Sequence, residues 1–420
     1  MKKQSRVKNL KAREILDSRG EPTVEVELTT DYGVFSASAP SGASKGKYEA
    51  VELRDGGKRY KGKGVLKAVR NVNEKISPKI KGREVNNQER TDQFLIETDG
   101  TKNKSRLGTN AILPVSMAVC RAGAAALNIP LYEYISQIFG QKILRTNFPT
   151  PCFNLINGGA HAGNDLDIQE FMVVPQADTF KKSLQMVSEI YHILQEVLLK
   201  SFGKKAINIG DEGGFAPPLK STRGALDLLM KAIKLAGYNN KTKISLDCAA
   251  SQFLSGNKNN PFYIFERKRL SSPRLLNFYQ DIFRRYPILS IEDPFSENDF
   301  AGFKEAYEKL GKNVLIIGDD LLATNPERMK KAFDKKLCNG LLLKINQIGT
   351  ITEAIQAAKL ARTFGWKIMV SHRSGETNDD FIADLAVGIS ADFIKSGAPA
   401  RGERLAKYNR LLKIEEEIYA

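Results

Sequence analysis

The sequence predicts an α/β protein: an α+β N-terminal cap domain followed by a (β/α)8 barrel with its active site at the strand C-terminal ends. Three observations carry that prediction. Six short apolar runs each close on a group able to do chemistry, at Asp247, Glu292, Asp319, Lys344, His372 and Lys395. Those ends are about 23 to 45 residues apart, near the roughly 31 per strand-plus-helix unit of a ~250-residue eight-unit barrel. The segments between them carry helix signals: Thr350 and Glu353 have capping-box spacing, Ile351, Ala354, Ile355 and Ala358 share one face, and Asn325-Pro326 opens another helix. All the runs read as parallel strands presenting one face.

In chain order, Val24 to Leu28, Val34 to Ala39 and Tyr48 to Leu53 alternate in character and read as a small antiparallel meander. Between the last two lies Ala39-Pro40-Ser41-Gly42-Ala43-Ser44-Lys45-Gly46-Lys47, small residues that no core needs; it is either a plain surface loop or a lid, about residues 36 to 47. Val65 to about Phe139 is helical in pattern, most clearly over Asn110 to Leu127. Residues 1–140 therefore form the cap, and Pro149-Thr150-Pro151 marks the start of a barrel over 141–420. Its first part holds His161 in a Gly-rich loop, as a functional group or as a satisfied structural one, followed by the apolar stretch to Val173. Next, Ile207 to Gly210 ends on Asp211 and Glu212 between glycines, which makes Glu212 a candidate acid.

Composition sets outer bounds. A chain of 420 residues, 42% hydrophobic and 27% charged, can bury the cores of two domains. Four scattered cysteines suggest neither a disulfide framework nor a zinc ribbon and fit a reducing cytoplasm. The basic start leads into no apolar segment of a signal peptide, and no uninterrupted apolar stretch of membrane-spanning length is expected. A net charge of +16 fits nucleic acid, a membrane surface or an anionic small substrate, and its sign does not choose among them. The clusters at Lys58 to Lys63 and Arg267 to Arg269 read as solvated loops without the aromatic interleaving of a stacking platform.

The rim chemistry is more specific. Asp247, Glu292 and Asp319 at successive strand ends repel one another unless a cation joins them, and an all-oxygen donor set points to Mg²⁺. Pairing of each with a nearby lysine or arginine is the competing reading. Lys344 either snorkels to water or acts as a base. The second role requires its pKa to fall by ~3 units, about 4 kcal/mol of differential stabilisation. A basic lysine and a carboxylic acid about a metal-bound carboxylate suit removal of the proton α to it and loss of a β-hydroxyl, with the metal holding the enediolate. Arg373, Ser374 and Lys395 add a clamp suited to phosphate.

These motifs resemble the enolase family over almost the whole chain, so the barrel is expected to be of enolase type. S-G-A-S at Ser41, G-G-A-H-A-G-N ending at Asn164, Q-E-F-M at Gln169, G-D-E-G-G-F-A-P at Gly210, S-L-D ending at Asp247, I-E-D-P at Ile291, G-D-D at Gly318, K-I-N-Q-I-G at Lys344, S-H-R-S-G-E-T at Ser371 and K-S-G-A-P-A-R at Lys395 occur in family order. The resemblance implies reversible dehydration of 2-phosphoglycerate to phosphoenolpyruvate in glycolysis and gluconeogenesis. It makes Lys344 the base at C2 and Glu212 the acid at the C3 hydroxyl, with Glu170 and His161 beside them. Asp247, Glu292 and Asp319 would hold one Mg²⁺, and Ser41 with the substrate phosphate a second. Gln169, Arg373, Ser374 and Lys395 would contact substrate, with His161, Glu170 and His372 close by. It also implies a cytoplasmic homodimer or octamer and, in bacterial members, RNA-degrading assemblies or a cell-surface location reached without a signal peptide.

Departures from the family pattern stand at Glu21, Lys45, Pro114, Gln252 and Asn378, none of them in contact with metal or substrate by the resemblance. Lys45 adds charge beside the lid. An acid-sugar dehydratase using the same chemistry, and a scaffold binding polynucleotide through its basic surface, are the competing functions; the phosphate clamp argues against the first and the intact motifs against the second.

Overall fold

The computed structural model describes residues 5–43, 46–141, 148–257 and 260–419. Strands β1 (Asn9–Leu16), β2 (Pro22–Thr30) and β3 (Gly33–Ser38) form an antiparallel sheet in that order. Alternation in β2 buries Val24, Val26 and Leu28 completely, as a one-sided sheet requires. Helices α1 (Gln88–Asp99), α2 (Thr109–Leu127) and α3 (Leu131–Phe139) follow. By length and composition α2 could cross a membrane, but 78% of its most apolar window is buried inside the protein, and it packs on β2 and β3 as a core helix.

Tyr48 to Leu53 is not the third strand of the meander; β1 is. The stretch is extended, but its backbone bonds go elsewhere: Ala50 N–H donates to the Gln347 carbonyl at 2.8 Å, Val51 to that of Asn103 at 2.8 Å, and Leu53 to the Asn110 side chain at 3.0 Å. Alternation reports a half-buried extended chain, and here cap helices and a barrel loop supply its partners.

The barrel is closed by β4 (Thr150–Asn157), β5 (Glu170–Pro175), β6 (Thr242–Asp247), then, beyond a small sheet of β7 (Leu254–Asn257), β8 (Asn260–Phe265) and β9 (Lys268–Leu270), by β10 (Ile288–Glu292), β11 (Leu315–Gly318), β12 (Gly340–Leu343), β13 (Lys367–Ser371) and β14 (Phe393–Lys395). Helices α4 (Phe180–Phe202) and α5 (Thr222–Leu235) separate β5 from β6. After that α6 (Ser272–Arg285), α7 (Phe300–Leu310), α8 (Pro326–Lys335), α9 (Ile351–Thr363) and α10 (Phe381–Gly388) alternate with strands, and α11 (Gly402–Tyr419) ends the chain. The caps read from sequence form: Asn325 accepts from the N–H groups of Glu327 and Arg328, and Thr350 from that of Glu353.

Two strand expectations need correction. The barrel is not wholly parallel: β5 runs antiparallel to both β4 and β6. The link from β4 to β5 contains only the short turn Gly159–His161 rather than the crossover helix that parallel neighbours need. And the apolar run before Asp211 is not a barrel strand. Ile209 makes only an isolated bridge to Phe215, following the short turn Lys204–Ile207, and Glu212 stands in a loop.

Candidate functional site

Reversal of β5 has a direct consequence for chemistry. Its first residue lies where the parallel strands end, so Glu170 pairs in register with Asp247, which pairs in turn with Glu292 of β10. The same edge carries Asp319 just after β11, Lys344 after β12, His372 after β13 and Lys395 at the end of β14. Glu212 reaches it by close backbone contact: Asp211 N–H donates to the His161 carbonyl at 3.1 Å, and a Cβ on Gly210 would stand 2.4 Å from that oxygen.

A cavity of about 40 Å³ opens there, bordered by His161, Gln169, Glu170, Glu212, Asp247, Asp319, Lys344, His372, Arg373, Ser374 and Lys395, together with Gly42 and Ala43 of the segment after β3; residues 36–38, expected in a lid, belong to that strand instead. Two lysines organise its charge. Lys395, 1% exposed, donates to Glu292 Oε2 at 2.7 Å and to Glu170 Oε1 and Asp247 Oδ2 at 3.3 Å. Burial alone pushes its pKa down, but Glu170, Glu292 and Asp247 override that and hold it well above its ordinary value. Lys344 Nζ lies 2.5 Å from Asp319 Oδ2. Burial again lowers its pKa and Asp319 more than reverses the effect, so the net direction is upward, against the fall expected for a base. The reason is the pairing itself, since an ammonium bonded to a buried carboxylate is stabilised in its charged form.

The competing reading of the three carboxylates is thus partly realised, because each bonds a lysine. It does not neutralise the cluster. Among the described residues, Glu170, Asp247, Glu292, Asp293, Asp319 and Asp320 gather about two ammoniums, while the Arg373 guanidinium is engaged by Glu49 at 2.9 Å. Burial and then Asp247 push the Glu292 carboxyl well up, burial and then Glu212 do the same to Glu170, and burial with Asp319 carries Asp320 up to about 7. Glu292 Oε1 and Glu170 Oε2 are buried with no hydrogen-bond partner among the described residues. Crowded oxygen donors with open lone pairs fit a hard divalent cation. Two sets have ligand atoms all within 4.8 Å of one another: Asp293, Asp319 and Asp320, and His161, Glu170 and Glu212.

Glu212 is gripped by neutral and basic groups. Asn154 donates to its Oε2 at 2.9 Å, while His161 Nδ1 and His372 Nε2 lie 3.3 and 3.4 Å from Oε1. Burial pushes its pKa up, but His161, His372 and Arg404 outweigh burial and keep it well below the usual carboxylate range. Gln169 donates to Asp247 Oδ2 at 3.2 Å and accepts from Gln252 at 2.7 Å. Ser374 Oγ accepts from Ala43 N–H at 2.7 Å, which ties the loop to the barrel. Ser41 is buried and bridged to Gly375, but its Oγ accepts from Arg54 at 2.8 Å and does not border the cavity.

Besides Asp320 and Asn154, sequence reasoning missed three residues here. Glu49 binds Arg373; Asp293 receives the N–H groups of Asp319 and Asp320 at 3.0 and 2.6 Å and so shapes the turn that presents Asp319; Arg404 binds His372. Of these only Asp293, directly beside Glu292 in I-E-D-P, carried a local signal. Among the departures, Gln252 borders the cavity, Glu21 accepts from Lys63, Pro114 sits buried inside α2, and Asn378 lines a separate hollow of 680 Å³; Lys45 lies outside the described residues. That hollow is wider than the rim cavity and is also lined by carboxylates, Asp379 and Asp380 among them, but its lining cation is Arg121 and it has no lysine among the described residues.

Fold and rim together define a class: a capped eight-stranded α/β barrel with an acid-rich rim site suited to a divalent cation. Residues 7–135 match the family model described as "Enolase, N-terminal domain", and residues 145–420 match "Enolase, C-terminal TIM barrel domain". Enolase B of Dictyostelium discoideum is 55% identical over 98% of this chain and 95% of its own length. The enolases of Eimeria tenella and Mastigamoeba balamuthi are 54% and 52% identical, over 97% and 99% of this chain and 95% and 97% of their own. The chain belongs to the enolase family, the phosphopyruvate hydratases.

Proposed function

We propose that the protein catalyses the Mg²⁺-dependent, reversible dehydration of 2-phosphoglycerate to phosphoenolpyruvate. The observation that carries this reading is one cavity holding both a buried lysine at a strand end and a carboxylate, Glu212, in a separate hydrogen-bonded group. Asp247, Glu292 and Asp319 would hold one Mg²⁺, and Ser41 with the substrate phosphate a second. Bound there, the ion supplies positive charge against the negative charge that builds on the substrate carboxylate as C2 loses its proton.

Lys344 takes the C2 proton, which requires its present partner Asp319 to be engaged elsewhere, and Asp319 belongs to the proposed metal set. Glu212 serves the C3 hydroxyl: protonated it assists departure of that group, and as the carboxylate favoured here it acts as base in hydration. Arg373, Ser374, Gln169 and Lys395 orient the substrate, with His161, Glu170 and His372 alongside. We assign residues 1–140 to the cap, 141–420 to the barrel and the part of 36–47 that follows β3 to a lid, a role supported by the Ala43 to Ser374 hydrogen bond. Family membership further supports a cytoplasmic homodimer.

The test is formation of phosphoenolpyruvate from 2-phosphoglycerate, followed by ultraviolet absorbance, with Mg²⁺ and then with chelator, beside a panel of sugar acids lacking phosphate. Mg²⁺-dependent absorbance with the phosphorylated substrate alone is expected. Turnover of the sugar acids instead would overturn the phosphate assignment.

A further inference from the structure

Arg404, in the first turn of α11, is a fully buried cation whose sequence position gives no hint of a role. Its two terminal nitrogens donate four times. Nη1 reaches His372 Nδ1 at 2.6 Å and the Arg373 carbonyl at 2.7 Å, and Nη2 reaches the carbonyls of Ser374 and Asp211 at 2.6 and 3.0 Å. Nε lies 3.3 Å from Glu403 Oε1. One guanidinium therefore joins the 211–212 loop to the 372–374 loop, and each of these brings a group to the cavity.

We propose that Arg404 is a positioning residue that fixes His372 in its Nε2-protonated tautomer, so that the imidazole offers Glu212 a proton donor and never an acceptor. A guanidinium has donors only and no lone pair, so the ring nitrogen it meets at 2.6 Å must accept. Nδ1 is then unprotonated, and the single ring proton sits on Nε2, which faces Glu212 Oε1 at 3.4 Å without closing a hydrogen bond to it. A fully protonated ring would set N–H against N–H. Burial first, with Arg404 adding to it, outweighs the opposing pull of Glu212 and holds His372 well below its ordinary pKa. The tautomer stands on geometry; its bearing on turnover rests on the reading of Glu212 as the group that serves the C3 hydroxyl.

With three histidines in the sequence, the experiment is direct: a long-range ¹H–¹⁵N spectrum of the full ¹⁵N-labelled protein at neutral pH, assigned with His372→Gln. His372 is expected to show an unprotonated Nδ1 and a protonated Nε2. Arg404→Lys, whose ammonium cannot span both loops, should give a mixed tautomer and a kcat lower by about 10-fold to 100-fold with KM little changed, as for other supporting residues. A protonated Nδ1 in the wild-type spectrum overturns the proposal, and that spectrum decides even if the variant does not fold. So does an Arg404→Lys protein that loses activity with the His372 tautomer unchanged. Neither spectral result depends on which substrate the site takes.

Discussion

Two charge clusters in this protein, one half-buried and one buried, both set carboxylates around basic side chains and end in opposite states. Where α2 meets the segment before α10, Arg121 donates to both oxygens of Asp379 at 2.9 Å, to Asp380 at 2.9 Å and to the Ser36 carbonyl at 2.8 Å. Asp379 also accepts from the N–H groups of Ser38 and Phe381. Burial raises its pKa, Arg121 more than compensates, and the net direction is down. At the barrel rim Glu292 and Glu170 are pushed up, and each keeps an oxygen without a partner. The first cluster is satisfied and holds the cap to the barrel. The second is held short of satisfaction, and that deficit suits it to hold a cation.

The contrast can be broken at several points. Removing one rim charge with Glu292→Gln should lower turnover by at least about 10²-fold to 10⁴-fold, measured as phosphoenolpyruvate formation at saturating Mg²⁺. Removing one charge from the other cluster with Arg121→Met should cost about 1 to 3 kcal/mol in denaturant unfolding, because Asp379 keeps only the backbone donors of Ser38 and Phe381. Activity per folded molecule should survive. Mg²⁺ at 100 times its Kd should stabilise the wild type by about 2.7 kcal/mol, and Glu292→Gln should abolish most of that gain.

The smaller effects carry the sign of the comparison. In Mg²⁺-free buffer at neutral pH, Glu292→Gln should be more stable than wild type by about 0.5 to 2 kcal/mol, since a carboxyl whose folded pKa is raised costs stability when ionised. Asp379 has the opposite sign. Its folded pKa is depressed, so its contribution is complete above the unfolded value near ~3.9 and is lost as pH falls through the lower folded value. Acid unfolding curves of wild type and Arg121→Met should therefore converge below about pH 4. Curves that stay parallel down to pH ~2 would remove Asp379 from the account.

Much of this could be read from the chain because a parallel strand delivers its last residue to one rim, so Asp247, Glu292, Asp319, Lys344, His372 and Lys395 announced a shared face through local pattern alone. Glu170 was placed by its motif, and only the reversed β5 explains how it arrives at that rim. What stayed hidden was pairing across long sequence separations. Arg373 meets Glu49, Ser374 meets Ala43, and Tyr48 to Leu53 spends its backbone on Gln347, Asn103 and Asn110. Arg373, Ser374 and Lys395 were legible as a set of types, and the engagement of Arg373 by Glu49 was not. The upward pull on Lys344 stayed hidden for the same reason: burial is visible in an apolar run, but Asp319, the partner that outweighs it here, is reached only when the barrel closes.

The central claim is that Lys344 withdraws the C2 proton at a rim completed by a divalent ion. Its most direct test is exchange of the C2 proton of 2-phosphoglycerate with deuterated solvent, followed by ¹H NMR for the wild type with Mg²⁺, the wild type with chelator, and folded Lys344→Ala with Mg²⁺. Exchange in the first sample and none in the other two is the predicted result. Exchange undiminished in Lys344→Ala would contradict the account and move the base to another group of the cavity.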